Sequence, residues 1–273
     1  MVLASVIGAA AGVMLMLMLS LAGPSAALAA TPKAGGATDS LPGATWSAIA
    51  RLPDFSGAWY LKTGGQFSRG GVAGALPPEL TLAGAAELKR ADHDYFDEGV
   101  NPPLQNCHPD GMPHIMDYAF PMEFYFTPGK VTIYLEAYGQ VRWIHTDGRK
   151  HSEDLPPTYN GESIGRWEGR TLVVDTLGML PQTQLVISNN FLGIRHSDKL
   201  HLMERMRLIG RDLLEVRTTV DDPVIFAKPW VTVKTYERRR DPLHEVREYV
   251  CENNHEPLDA NGKQIFLQKA PGQ

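Results

Sequence analysis

Residues 122–145 read MEFYFTPGKVTIYLEAYGQVRWIH, and their alternation decides the fold. Val131, Ile133, Leu135 and Ala137 fall on one side of an extended chain, and Thr132, Tyr134 and Glu136 on the other. A period of two with one apolar side marks a half-buried strand. Pro128-Gly129 turns this strand back on Met122 to Thr127, and after Gly139 a third run, Gln140 to Thr146, continues the pattern. Working outward towards the C-terminus, similar runs occupy Arg170 to Thr176, Lys199 to Ile209, Leu213 to Val220, Trp230 to Arg238 and Glu245 to Cys251. Towards the N-terminus, Asp54 to Leu61 is a short strand in which Gly57 stands two residues before Trp59. That spacing lets the Trp ring fold over a sheet end, while the missing Cβ admits a close neighbour. One helix interrupts, Leu82 to Phe96, with Thr81 as N-cap and Leu82, Ala85, Ala86 and Leu88 on its apolar side. The chain therefore reads as mainly β, an antiparallel meander of about ten strands that must either close or stack, with one inserted helix. Closure into a barrel is expected; a sandwich has the same strand count, and periodicity does not separate the two.

The chain has 273 residues and a formal net charge of −5. Residues 1–22 carry no charge and are almost wholly apolar, Gly23-Pro24-Ser25 breaks any helix, and Ala27-Leu28-Ala29 has the small-x-small form of a processing site. We therefore expect a signal peptide over 1–29, cleaved before Ala30, and a periplasmic or secreted protein with no stable membrane insertion after cleavage. The alternative is an uncleaved anchor, because the apolar run is long enough to span a bilayer. Residues 30–45, rich in Ala, Gly, Thr and Pro, read as a disordered leader, 46–254 as a single barrel domain and 255–273 as a loose tail. A mildly acidic chain without a basic block is a poor nucleic-acid ligand, and no such partner is expected. The one basic triplet, Arg238-Arg239-Arg240, reads as a solvated strand end. Cys107 and Cys251 are the two cysteines, and in an oxidising compartment they are expected to bridge; a free thiol at Cys107 beside His108 is the alternative.

Candidate chemistry gathers in residues 145–176, HTDGRKHSEDLPPTYNGESIGRWEGRTLVVDT. Asp147-Gly148 and Glu168-Gly169 supply turns, and between them the ionisable side chains are denser than a plain connection needs. His145 or His151 can carry a proton near neutral pH, Asp147 can fix a tautomer, and Arg149 can hold an anionic group. His196 and Glu204 are candidates to join them from later strands. Glu136, Tyr138, Trp143, Trp167 and Trp230 are candidates to line a ligand cavity, with ordinary core packing as the competing reading for the aromatic residues. No metal or other cofactor is expected: the histidine spacing matches no H-E-x-x-H pattern, and residues 64–75 are Gly-rich without a phosphate-binding motif; the absence of G-x-S-x-G speaks against a nucleophilic serine.

Two resemblances follow from these pieces. Gly57-Ala58-Trp59 on a first strand that leads into a meander resembles the opening of lipocalin-type barrels. The pieces DFSGAW (54–59), CHPDGMP (107–113), TDGRKH (146–151), SIGRWEGRTLVVDT (163–176), KPW (228–230) and EYVCEN (248–253) resemble an uncharacterised family of exported bacterial proteins. This resemblance implies export and a barrel, and carries no activity with it. The sequence-based expectation is an exported, lipocalin-like barrel that binds a small, partly apolar organic molecule at a mouth formed by residues 145–176. Its function is read as cofactor-independent acid/base catalysis (elimination, hydration or isomerisation), with a non-catalytic carrier or scavenger as the alternative.

Overall fold

A computed structural model describes residues 41–63, 77–100, 107–188 and 192–251. The expected signal peptide, the Gly-rich 64–75 and the C-terminal tail lie outside the described residues. No described helix is long and apolar enough to cross a membrane. Residues 41–45, expected to belong to the leader, are already docked: Gly129 N donates to Gly43 O at 3.0 Å, and the Thr45 side chain caps α1 (Trp46–Ile49).

Nine strands close into a barrel. In chain order they are β1 (Ala58–Thr63), β2 (Met122–Thr127), β3 (Lys130–Leu135), β4 (Gln140–His145), β5 (Glu162–Glu168), β6 (Thr171–Leu177), β9 (His201–Gly210), β10 (Leu213–Asp221) and β11 (Trp230–Arg239). A separate hairpin, β7 (Gln184–Leu185) with β8 (Ile194–Arg195), leaves the barrel between β6 and β9. Around the barrel the order is β1-β11-β10-β9-β6-β5-β4-β3-β2, closed by the pairing of Trp59 with Met122. The meander is antiparallel except at β4 and β5, which run parallel. The chain leaves β4 at one end and returns outside the barrel through residues 146–161, so that β5 starts in the same direction.

The expected alternation sorts the side chains. Val131, Ile133, Leu135, Ile144, Leu172, Val174, Leu202, Met206, Leu214 and Val216 are buried in one core cluster. Residues 112–118 cross this core, burying Met112, Ile115 and Met116, and Tyr236 Oη donates to Met116 O at 2.7 Å. Polar side chains also point inward. Arg142, Ser163, Thr176, Glu204, Thr218, Thr232 and Lys234 are all buried. Cys107 and Cys251 form the expected disulfide, joining the start of the crossing segment to the chain after β11.

Several details depart from the sequence reading. Glu162–Glu168, not read as a strand, forms β5 and pairs with β6 across the Glu168-Gly169 turn. No strand forms over Glu245 to Cys251, because β1 already occupies the free edge of β11 and Pro242 opens a 3-10 turn. Ala137 lies in a 3-10 turn beyond β3, where Tyr138 takes a positive φ of 59°. The helix α2 (Leu82–Phe96) has the expected bounds, and Thr81 Oγ1 accepts from Gly84 N at 3.0 Å. Its buried face, however, is Gly84 and Ala91, while Leu82 is 94% exposed. Arg238 is no solvated end. Its guanidinium lies 4.8 Å from the Trp59 ring centroid and donates to Asp54 O, Ser56 O and Asp212 Oδ1 at 2.8–3.0 Å, sealing the end of the barrel. Gly57, at φ +94°, makes room for it: a Cβ there would stand 3.1 Å from Arg238 Cδ.

Candidate functional site

The parallel contact between β4 and β5 is short, pairing Ile144 with Ser163 and His145 with Ile164. Beyond it the strands part, and the gap is filled by residues 158–161. Asn160 Nδ2 reaches Val141 O and Gln140 Oε1 at 3.4 Å in place of a ladder bond. On the outer surface this leaves a cleft of about 340 Å³, lined by Trp143, His145, Tyr159, Asn160 and Glu162 among others. The loop that forms its wall is pinned by backbone: Met112 N donates to Tyr159 O at 2.9 Å, and Thr158 N to Gly178 O at 3.0 Å.

Glu162 is held from behind. Its Oε2 accepts from Ser152 N at 3.0 Å and bonds His151 Nδ1 at 2.8 Å. Partial burial alone would push this carboxyl up, but the Ser152 and His151 hydrogen bonds and the nearby His151 and His145 rings outweigh it, and Glu162 sits below the ordinary carboxylate value. The other nitrogen of His151 lies 3.2 Å from Asp175 Oδ1, which also bonds His201 Nε2 at 2.8 Å. A relay Glu162–His151–Asp175–His201 thus runs across the outer faces of β5, β6 and β9.

His145 faces the same cleft with no hydrogen bond from its ring to any described residue. Burial, followed by the Arg149 guanidinium, lowers its pKa below the ordinary 6.5, more than Asp147 and Glu162 raise it. The imidazole is therefore free to accept a proton at neutral pH.

The other sequence candidates are dispersed. Asp147 and Arg149 form an exposed two-pronged ion pair, with Arg149 Nε at 2.9 Å and 3.0 Å from the two carboxylate oxygens. No bond joins Asp147 to either histidine, so it does not orient one. His196 is buried and structural: Nδ1 meets Ser197 O at 2.7 Å, and Nε2 meets Thr183 Oγ1 at 2.7 Å and Leu180 O at 2.9 Å. Glu204 is inside the barrel, clasped by both terminal nitrogens of Arg142, whose remaining bonds go to Ser163 Oγ at 3.2 Å and Thr176 Oγ1 at 3.0 Å. It neither reaches the cleft nor acts as a second acid there.

Among the proposed ligand-contact residues, Trp143 lines the cleft and is largely exposed. Trp167 packs inside against Phe55 and Phe126, at ring distances of 5.9 Å and 5.7 Å, and Trp230 is buried beside Phe226. Tyr138 meets Tyr118 and Tyr249 edge-on or tilted, and Glu136 accepts from Arg247 N at 2.7 Å. These four belong to packing.

Sequence reasoning missed Glu162, Tyr159, Asn160 and Asp175 as site residues. A signal for two of them existed. Counting back from the tight Glu168-Gly169 turn pairs Ile164 with Asp175 and Glu162 with Leu177, which places Glu162 and Asp175 on one face. Tyr159 and Asn160 sit in an irregular loop and carried no such signal.

Among the described residues no group of three or more His, Cys, Asp or Glu side chains converges to hold a metal ion. No known protein family matches the chain, and no well-characterised protein is significantly similar to it in sequence.

Proposed function

We propose that the protein is an exported small-molecule-binding β-barrel whose outer cleft performs cofactor-independent acid/base chemistry on a small, partly apolar organic substrate. The reaction classes that fit are elimination, hydration and isomerisation. His145 is the base. Glu162 presents its unbonded Oε1 as the second proton-handling group, His151 is a positioning residue that locks Glu162, and Trp143 with Tyr159 offers the apolar surface.

One observation carries this reading: an imidazole with free nitrogens and a lowered pKa lines the same cleft as a carboxylate anchored through one oxygen only. A base is most useful when its pKa lies near the working pH and its proton acceptor is unoccupied. A non-catalytic carrier using the same cleft is the alternative. Among the described residues, the barrel interior, where a lipocalin-like carrier would hold its ligand, carries the apolar core cluster and the Arg142–Glu204 network.

The test is elimination of 5-nitrobenzisoxazole, a generic probe of proton abstraction from carbon. A ring nitrogen takes the carbon-bound proton, the C–H pair becomes the new nitrile π bond, and the N–O bond breaks to a phenolate. Wild type is expected to turn over the probe with an acid limb in kcat/KM centred below pH 6.5, since protonating His145 removes the base. His145→Ala should lose about 10²-fold or more. His151→Gln should lose less and shift the profile, because it disturbs Glu162 and the relay behind it while leaving the His145 base in place. A wild-type rate no faster than free imidazole, or a rate indifferent to His145→Ala, removes the catalytic reading and leaves the carrier.

A further inference from the structure

The acid/base cleft does not end at Tyr159. The same ring forms part of the wall of a second groove, of about 660 Å³, on its far side. Tyr159 is fixed between them by its backbone bond to Met112 and by the approach of its hydroxyl to His108 Nδ1 at 3.4 Å. The two hollows are thus neighbours that share Tyr159, and the second has the volume of a small-molecule site.

The character of the second groove differs from the first. One wall is apolar, built from Pro109, Leu180, Pro181 and Leu192. The β7–β8 hairpin, in which Leu185 pairs with Ile194 and Gln184 with Arg195, contributes the polar lining. Leu185 and Ile194 are buried, so the alternation of the two short strands turns Gln184 and Arg195 the other way, onto the groove. The hairpin is braced from below by His196, whose ring bonds Thr183, Leu180 and Ser197. Arg195 is therefore mounted on a fixed base.

Among the described residues the Arg195 guanidinium has no ion-pair or hydrogen-bond partner, whereas Arg166 and Arg205 pair with Glu168, and Arg207 pairs with Glu215. Among the described residues no Asp or Glu lines this groove, although acidic residues outnumber basic ones in the chain, 31 to 26. A lone guanidinium facing an apolar wall is complementary to an anion attached to an apolar body, which it can grip with two parallel N–H bonds.

We propose that this groove selects the ligand: a small amphipathic organic anion, an aromatic or short-alkyl body bearing one carboxylate or sulfonate, with the anionic group on Arg195. The inference rests on the reading of the outer cleft as the reactive site, and adds to it that the substrate extends past Tyr159 and is anchored at the end remote from His145. Arg195 then sets specificity without taking part in proton transfer.

Two probes that differ only in charge test it by fluorescence titration of the purified protein. One is 8-anilinonaphthalene-1-sulfonate; the other is N-phenyl-1-naphthylamine, the same aromatic body without the sulfonate. Wild type should bind the sulfonate at least tenfold more tightly. Arg195→Ala should weaken the sulfonate about tenfold and leave the neutral probe unchanged, Arg195→Lys should fall between, and Arg166→Ala, a surface control, should match wild type. Equal affinity of wild type for both probes overturns the proposal, and so does an Arg195→Ala variant that binds the sulfonate as wild type does. Arg195 is exposed on a short hairpin, so its replacement leaves the core intact, and an unchanged thermal midpoint verifies this. The readout is binding alone: a protein that grips the sulfonate through Arg195 yet never eliminates 5-nitrobenzisoxazole loses the catalytic reading and keeps the anion site.

Discussion

Arg142 and Glu204 are each 1% exposed, and together they place a full charge pair within the barrel. Both guanidinium terminal nitrogens face the carboxylate, and Ser163 and Thr176 accept one further bond each and bond each other at 2.9 Å. Such a pair is costly to bury and more costly to break, since removing one partner strands the other charge away from water. Arg142→Met or Glu204→Leu alone should therefore destabilise by about 3–5 kcal/mol in urea unfolding, and the double substitution should recover most of the loss. Single losses below about 1 kcal/mol, or a double variant as weak as the sum, would contradict this account. The sequence offered Glu204 as a candidate for the acid/base cluster, and the fold turns it into the barrel onto Arg142 instead. What the sequence did not mark was the partner. Arg142 lies on β4 in an alternation whose other face carries Val141 and Trp143, and a reader who sends the apolar face inside turns the strand the wrong way round. The same holds on β11, where Lys234 is buried and paired with Asp117 while Val231 and Val233 face out.

Among the elements, α2 shows where a local signal and a tertiary contact part company. Thr81 starts the helix as its capping chemistry requires, yet the helix does not dock through its leucine at position 82. It docks through Gly84. A Cβ at Gly84 would come within 2.2 Å of Ile225 O, so the helix backbone rests directly on the loop that precedes β11. Gly84→Ala improves helix propensity by about 1 kcal/mol in isolation, and by propensity alone it should stabilise. We expect the opposite, a loss of roughly 1–3 kcal/mol in denaturant unfolding, because overpacking against backbone has no rotamer through which to relax. A stabilised variant would mean that α2 is not held at this contact. The β4–β5 pair illustrates a second limit. β4 is legible from its alternation and β5 was not read as a strand at all, and their parallel relation depends on the path of residues 146–161, which is set by contacts with residues 112 and 178–180.

For the molecule as a whole, acid should be the destabilising direction. The Ser56 hydroxyl holds Asp54 below its ordinary value, the Arg149 guanidinium does so for Asp147, and His244 for Asp241. Glu162 is lowered as well, by bonds that outweigh its burial. A carboxyl with a lower pKa folded than unfolded leaves the unfolded chain binding more protons, so its contribution is complete above the unfolded value and is lost as the pH falls through the folded one. The unfolded values are 3.8 for Asp and 4.5 for Glu. His145 acts in the same sense from a higher start, because its unfolded ring protonates from 6.5 and the folded ring only below that. Calorimetry from pH 7.5 to 3 should show a level midpoint above about 6.5, a shallow decline to about 4.5 and a steep one beneath, flattened by added salt because most of these pairs are exposed. A midpoint that rises between pH 6.5 and 4.5 would reverse the assignment.

The sequence by itself determined the class of the fold, the helix and its cap, the strands β2, β3, β4, β6, β9 and β10 to within a few residues, and the disulfide, because each rests on a local period, a turn or a pair of reactive atoms. It also pointed to residues 145–176 as the place to look for chemistry. Only the tertiary structure decided which of those side chains meet. His145 and Glu162 share a cleft because two parallel strands diverge there, while His196, Glu204 and Trp167 were drawn into packing by partners far away in the chain. Periodicity states which residues share a face. Which face turns inward, and what stands opposite, is decided by the closure of the sheet, a long-range event in which hydrogen-bonded pairs of buried charges compete with apolar side chains for the same interior.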